Sequence, residues 1–100
     1  MRSGYRIQWT ERAILDLQNI IDYLLYKWTE KEVKNFVQKL DKRLELISIN
    51  PRLFPKTKKR RNVRRSVLTK HTVIYYETST DTIRIVTLFD PRQDPRKLKI

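Results

Sequence analysis

Positively charged side chains are concentrated in one short part of the chain. Residues 56–70 contain eight lysines and arginines, namely Lys56, Lys58, Lys59, Arg60, Arg61, Arg64, Arg65 and Lys70. No acidic residue occurs from Leu46 to Tyr76. Clustered cations attract phosphates, raise encounter rates and lose affinity as the salt concentration rises. This basic segment therefore predicts a binding site for a polyanion or for an acidic protein.

The two halves of the chain differ in charge. Residues 1–50 carry nine Lys/Arg and seven Asp/Glu, a net charge of +2, whereas residues 51–100 carry fourteen and four, a net charge of +10, and together these give +12. Blocks of like charge are often solvated linkers or tails, which is the alternative interpretation. The apolar residues Val63, Val67 and Leu68 interrupt the block in a way that suits a strand. We therefore expect a folded segment to display these cations.

One side chain is suited to both accepting and donating a proton at neutral pH. His71 is the only histidine in the sequence, and the unperturbed pKa of histidine is near ~6.5. It is therefore a candidate for acid–base catalysis. The alternative is a structural or partner-contacting residue, the more common role for a single histidine at the start of an alternating strand.

Length and composition limit the class of protein. One hundred residues predict a single domain, 1–100, with one modest hydrophobic core. The absence of cysteine excludes disulfides, a cysteine-based zinc site and a thiol nucleophile, and we expect no metal and no cofactor. Apolar runs do not exceed four residues, so we expect no membrane span and a cytoplasmic location.

In the first half of the chain, apolar residues first alternate with polar ones, as in a strand, and then recur at helical spacing in two segments. Residues 4–9 alternate apolar with polar side chains and predict a strand, and the helical spacing that follows predicts a helix over 11–27 with Thr10 as its N-cap. Its apolar stripe extends to Trp28. Thr29 and Glu32 have the spacing of a capping box, which predicts a second helix that ends before Pro51.

The second half of the chain predicts a loop and three strands. Residues 51–59 read as a loop with Leu53 and Phe54 as anchors to the core. Alternating or β-branched runs predict strands over 63–68, 71–78 and 82–89, and the prolines of 89–100 predict a short extended basic tail. The predicted fold is α+β, a two-layer sandwich of order β-α-α-β-β-β. A helical hairpin packs on one face of a largely antiparallel sheet, and the other face is free to bind.

This order of elements, with several short motifs, resembles the RelE/ParE superfamily of toxins from bacterial type II toxin–antitoxin systems. The resemblance covers nearly the whole chain. The motifs are Tyr5-x-Ile7-x-Trp9-Thr10, Ala13-x-x-Asp16-Leu17 with Ile20 and Tyr23-Leu24, Asn50-Pro51-x-x-Phe54-Pro55, Lys70-His71-Thr72-Val73-Ile74-Tyr75-Tyr76, and Asp90-x-Arg92-Gln93-Asp94-Pro95. It implies an acidic antitoxin protein as partner. Two modes of toxicity are known in the superfamily, ribosome-dependent cleavage of mRNA and inhibition of DNA gyrase.

The resemblance assigns candidate roles to particular residues. Arg92 aligns with an arginine that RNA-cleaving relatives place after the last strand, and the alternative is an exposed arginine paired with Asp90 or Asp94. Alternation turns Arg64 and Arg65 to opposite faces, so only one of them can join Arg92 in stabilising phosphate charge, with His71 as the acid–base group. The remaining cations are candidates for binding nucleic acid or antitoxin: Lys56, Lys58, Lys59, Arg60, Arg61 and Lys70.

One departure from the superfamily bears on catalysis. Several RNA-cleaving relatives carry a tyrosine near the C-terminus, where this chain has Leu98, which cannot donate a proton. The density of arginine nevertheless favours a growth-inhibiting toxin that cleaves mRNA on the ribosome. The alternatives are a non-enzymatic gyrase inhibitor and an inactive relative that only binds antitoxin.

Overall fold

Two α-helices and a four-stranded sheet form two layers in the computed structural model, which describes residues 4–100. The elements are β1 (Arg6–Trp9), α1 (Glu11–Lys27), α2 (Glu30–Ile49), β2 (Val63–Thr69), β3 (Thr72–Thr78) and β4 (Thr82–Phe89). Short 3-10 helices cover Pro51–Leu53 and Pro95–Lys97. The predicted order of strands and helices is confirmed.

The sheet has the strand order β1-β4-β3-β2. β2, β3 and β4 form an antiparallel meander, because short turns connect them, whereas β1 lies parallel to β4 with Arg6 opposite Thr82 and Trp9 opposite Ile85. The parallel pair requires a long crossover between its strands, and the helical hairpin supplies it. β1 and β2 are therefore the two edges of the sheet.

The two helices begin differently, although a threonine precedes each. The hydroxyl of Thr10 accepts a hydrogen bond from the Ala13 amide at 3.0 Å and donates one to the carbonyl oxygen of Val86 at 2.8 Å. The capping box predicted for α2 is wrong, because the Thr29 side chain makes no capping bond. The amide of Glu32 donates instead to the backbone carbonyl of Thr29 at 3.0 Å, which satisfies that donor without a side chain.

A β-bulge in β4 changes which residues enter the core. Tyr75 pairs with Thr87 but Tyr76 pairs with Ile85, so Val86 has no partner in the register. The extra residue interrupts the alternation that predicted one apolar face from Ile83 to Phe89. Leu88 consequently joins the core beneath the helices, and Phe89 packs on the opposite face of the sheet.

The main core lies between the helices and the sheet. Its buried members are Ala13, Phe36, Leu40, Ile47, Leu68, Ile74, Tyr76, Ile83, Ile85 and Leu88. The side chains of Tyr5, Ile7 and Trp9 pack against it, as the alternation of β1 predicted. The hydroxyl of Tyr76 donates a 2.6 Å hydrogen bond to the Pro51 carbonyl oxygen, and burial raises the pKa of Tyr76 to about 12. This bond ties the segment after α2 to the sheet.

The second face of the sheet is not fully free, contrary to the expectation from sequence. Val63, Val73 and Tyr75 form a second buried cluster, and Phe89, Leu98 and Ile100 pack against it. The tail also differs from the extended segment that its prolines predicted, because Pro95–Lys97 form a turn of 3-10 helix capped by the carboxylate of Asp94. Apolar residues at its end explain why the tail returns to the sheet.

The loop before β2 lies along the outer edge of that strand. The amide of Arg65 donates to the Pro55 carbonyl at 3.0 Å, and the amide of Thr57 donates to the Val63 carbonyl at 2.7 Å. Phe54 packs against the main core, as predicted, but Leu53 is exposed and is not an anchor. The loop thus protects part of an edge that would otherwise present unpaired backbone groups.

Candidate functional site

A groove of about 630 Å³ opens between the helical hairpin and the ends of the central strands. Its walls come from the second half of α1, the first half of α2 and the residues next to β3 and β4. They include Asn19, Tyr23, Trp28, Glu32, Asn35, Phe36, Lys39, His71, Asp90 and Arg92. Apolar rings and polar groups both face a space large enough for a small ligand or a protein side chain.

The ion pair of Asp90 and Arg92 forms one end of this groove. The guanidinium of Arg92 donates to both carboxylate oxygens, with Nη2 to Oδ2 at 2.6 Å and Nε to Oδ1 at 3.1 Å, and its backbone amide donates to Oδ1 at 2.9 Å. Hydrogen bonding from Arg92 lowers the pKa of Asp90, and the same bond raises the pKa of Arg92. The geometry matches the ion-pair alternative drawn from the sequence.

His71 shares the groove with Arg92, but it lies outside a strand. β3 begins at Thr72, one residue later than predicted, so His71 occupies the turn between β2 and β3. Its backbone amide donates to the Thr69 hydroxyl at 3.1 Å, and its charge contributes to the lowered pKa of Asp90. The imidazole is therefore close enough to Asp90 to interact electrostatically with it.

The two adjacent arginines of β2 lie outside the groove. Arg64 pairs with Tyr76 on the helix side of the sheet, and its Nη1 donates to the Phe54 carbonyl oxygen at 2.7 Å. Arg65 pairs with Tyr75, which belongs to the cluster on the second face. The prediction that they face opposite ways agrees with this register. Neither lines the groove, so the structure brings together His71 and Arg92 alone among the four candidate catalytic residues.

The other predicted binding cations are spread over the loop and the strand turn. Lys56, Lys58, Lys59, Arg60, Arg61 and Lys70 are all exposed. Arg60 forms an ion pair with Glu77 at 3.3 Å, and the Nζ of Lys59 donates to the Leu98 carbonyl oxygen at 2.8 Å. Lys70 lies in the same turn as His71. Most of this cationic surface is thus separate from the groove.

Exposed aromatic side chains at the end of α1 were not indicated by the sequence, and two of them, Tyr23 and Trp28, line the groove. Tyr23, Tyr26 and Trp28 are 53%, 85% and 61% exposed. Trp28 was predicted to continue the buried stripe of α1, but the helix ends at Lys27 and the ring lies beyond its last turn. Helical spacing alone cannot reveal that Trp28 is exposed, since it does not show how far the sheet extends beneath the helix.

Neither a membrane span nor a metal cluster is found within residues 4–100. Neither described helix combines the length and the apolar character needed to cross a bilayer. In the same residues, no three side chains of His, Cys, Asp or Glu are grouped as metal ligands would be.

Comparison with known proteins identifies the family. A model of the ParE toxin family, described as the ParE toxin of the type II toxin–antitoxin system parDE, matches residues 7–95. No curated protein matches the sequence of the chain.

Two solved structures have the same fold. A chain of the chromosomal ParDE toxin–antitoxin system from P. aeruginosa superimposes with a TM-score of 0.73 at 15% identity, covering 89% of this chain and 98% of that chain. The conserved hypothetical protein HP0894 from Helicobacter pylori gives a TM-score of 0.60 at 13% identity, with coverage of 89% and 97%. Because the family model spans most of the sequence, the chain belongs to the ParE toxin family of type II toxin–antitoxin systems.

Proposed function

We propose that this toxin inhibits DNA gyrase by binding it, without cutting RNA. The chain is a ParE-family toxin, and gyrase inhibition is the ParE-like mode of the superfamily. Metal-independent RNA cleavage needs cations around the reacting phosphate and groups that move protons between oxygens. The single observation that carries the proposal is the dispersal of the arginines that would have to meet there.

Each of the three arginines has another position or partner. Arg92 is held by both oxygens of Asp90, so its charge is compensated before any phosphate arrives. Arg64 donates to the Phe54 carbonyl oxygen on the helix side of the sheet, and Arg65 lies on the second face. Leu98, at the position of the expected terminal tyrosine, is an apolar contact of the second cluster. A phosphate bound beside His71 would therefore meet one of these arginines, Arg92, whose charge Asp90 already neutralises.

Exposed aromatic rings supply the second support. Tyrosine and tryptophan are enriched at the centres of protein interfaces, since they bury a large area and keep a polar group. Trp28, which is 61% exposed, lines the groove together with Phe36, and Tyr26, which is 85% exposed, lies two residues before it in the chain. We propose this end of the helical hairpin as the contact with the target protein. An acidic antitoxin would complement the net charge of +12.

The decisive experiment compares two readouts in one series of proteins. Purified toxin should inhibit supercoiling by gyrase, and induction in cells should arrest growth without new 5′ ends in transcripts. The double variant Tyr26→Ala/Trp28→Ala should lose supercoiling inhibition. Its matched control, Leu46→Ala/Leu53→Ala, removes two apolar side chains of 41% and 52% exposure elsewhere and should retain inhibition. Normal supercoiling at toxin excess would contradict the proposal.

Ribosome-dependent mRNA cleavage is the second candidate, and one observation favours it. His71 and Arg92 line the same groove, beside Asp90. If cleavage is the activity, Arg92→Ala and His71→Gln should each abolish growth arrest and the appearance of new 5′ ends. Under the gyrase proposal, neither substitution should create or remove such ends, because the toxin makes none.

A further inference from the structure

Every acidic residue in the second half of the chain forms an ion pair with an arginine. Four acidic residues follow position 50, and each forms an ion pair: Glu77 with Arg60 and Arg84, Asp81 with Arg6, Asp90 with Arg92 and Asp94 with Arg96. Arginine is suited to this role because its planar fork matches a carboxylate. The local negative charge is therefore compensated by arginine.

Lysines of the same half are left without an acidic partner within the part of the chain that the structure describes. The ion pairs of residues 51–100 include none of Lys56, Lys58, Lys59, Lys70, Lys97 and Lys99. Arg65 also forms no ion pair in those residues. These positive charges form no ion pair in the described residues, so they remain able to attract an external anion.

The C-terminal tail brings some of these charges together from distant parts of the sequence. Leu98 and Ile100 pack on the second-face cluster of Val63, Val73 and Tyr75. The Nζ of Lys59 donates to the Leu98 carbonyl oxygen at 2.8 Å, which joins the basic loop to the tail across 39 positions. Lys97 and Lys99 flank Leu98 and are exposed.

Arg65 completes this group from the neighbouring strand. It lies opposite Tyr75 in the register of β2 and β3, and Tyr75 belongs to the cluster that the tail covers. We name Lys59, Arg65, Lys97 and Lys99 the cationic face. Its four members come from the loop, a strand and the tail, and the Lys59 bond to Leu98 joins the loop to the tail. Lys97 and Lys99 also line a smaller pocket of about 340 Å³ with Arg12, Asp16 and Arg96.

Contacts on this face favour a nucleic acid over a protein segment. Protein interfaces rely on buried aromatic or apolar anchors, whereas binding to a phosphate backbone relies on cations. The apolar cluster here is already covered by the chain's own Leu98 and Ile100. Val67 is the only strand residue among the large apolar side chains that are exposed in the described part of the chain. A protein partner would thus find few anchors.

We propose that the cationic face binds the phosphate backbone of duplex DNA, independently of base sequence. This deepens the proposed function and rests on it for its cellular meaning, since the DNA would be the segment engaged by gyrase. The binding itself needs no gyrase and can be measured alone. Four phosphate contacts predict a slope of about −3.6 for log K against log salt.

The test measures fluorescence anisotropy of a labelled 20-base-pair duplex at 50–200 mM KCl. Affinity of the unchanged toxin should fall about 150-fold over this range, whereas Lys97→Gln/Lys99→Gln, with two contacts removed, should fall only about 12-fold. The control Lys31→Gln/Lys34→Gln removes the same charge from exposed positions of α2. It should keep the slope of the unchanged toxin, and circular dichroism should show that all three proteins are folded.

Several outcomes would overturn the proposal. If the two double variants had equal slopes of log K against log salt, binding would depend on net charge alone and not on the cationic face. Alternatively, poly-L-glutamate with as many charges as the duplex could bind as tightly, which would assign the face to an acidic polypeptide. Failure of the proposed function looks different: toxin with the predicted DNA slope would leave gyrase supercoiling unchanged.

Discussion

Arg92 and Asp90 form a fork-to-fork ion pair in which both carboxylate oxygens accept from the guanidinium, the shortest contact being 2.6 Å from Nη2 to Oδ2. The backbone amide of Arg92 adds a further bond to Oδ1 at 2.9 Å. The two residues are separated only by Pro91, whose ring restricts the turn between them. The positive charge of Arg92, the residue expected to approach a phosphate, is therefore neutralised by the nearby Asp90.

This pair predicts a specific titration. Because Arg92 lowers the pKa of Asp90 below its usual 3.8, the folded carboxylate stays charged at pH values where the unfolded one protonates. The pair should therefore stabilise the fold above about pH 3.8, and this contribution should disappear as the pH falls through the lowered pKa of Asp90. NMR titration of the Asp90 carboxyl should show a midpoint below 3.8 that rises in Arg92→Ala. An unchanged midpoint in that variant would contradict the pairing.

A second prediction concerns the unequal threonines before the helices. Thr10→Ala should lower the free energy of unfolding by about 1–2 kcal/mol, because it removes the cap on the Ala13 amide and the bond to the Val86 carbonyl. Thr29→Ala is the matched control and should cost less than about 0.5 kcal/mol, since its hydroxyl makes no capping bond. Urea unfolding of both variants measures the difference. Equal losses of unfolding free energy in the two variants would support the predicted capping box at Thr29.

A third prediction concerns the buried hydroxyl of Tyr76. Tyr76→Phe should lower the free energy of unfolding by about 1–3 kcal/mol, because the Pro51 carbonyl oxygen loses its 2.6 Å donor in a buried place. Tyr26→Phe, at an exposed ring, should change it by less than about 0.5 kcal/mol. Chemical denaturation at pH 7 compares the two variants.

The same tyrosine predicts how stability changes in alkali. The pKa of Tyr76 is raised from 10.0 to about 12 in the folded state, so the unfolded state loses this proton first. The contribution of Tyr76 should be complete below pH 10 and should decline as the pH rises toward 12. Tyr76→Phe should lack this component of the decline. The same slope in both proteins over that interval would contradict the burial of a protonated phenol.

A fifth prediction concerns the anchoring of the tail. Leu98→Ala should cost about 1 kcal/mol, because the side chain is half-buried against Val63, Val73 and Tyr75. It should also speed hydrogen exchange at the Leu98 amide, which donates to the Pro95 carbonyl at 3.1 Å. Leu53→Ala, at an exposed leucine, should do neither. A tail that exchanges freely in the unchanged protein would show that it does not pack.

Much of the architecture could be predicted from local patterns. The periods of apolar residues located both helices and the strands to within one or two residues, because amphipathic elements must turn one face to a common core. Pro51 marked the end of α2, since proline disfavours a helical residue before it. The opposite orientation of Arg64 and Arg65 likewise agrees with the alternation of a strand.

The details that failed depend on contacts between distant residues. Val86 becomes a bulge where β4 pairs with β3 and receives the Thr10 hydroxyl, and no local pattern contains that pairing. Leu53 and Trp28 are apolar, yet both are exposed, because each lies where the opposing layer does not cover it. Local sequence propensity does not show which positions the opposite layer covers.

The sequence by itself determined the order of elements, the excess of positive charge in the second half and the toxin family that the motifs resemble, because these depend on residue type and spacing. Only the tertiary structure decided which charges act together. It separated Arg64 and Arg65 from His71, paired Arg92 with Asp90, and brought Lys59 to Leu98 across 39 positions. Electrostatic interaction depends on distance in space, which the folded chain alone establishes.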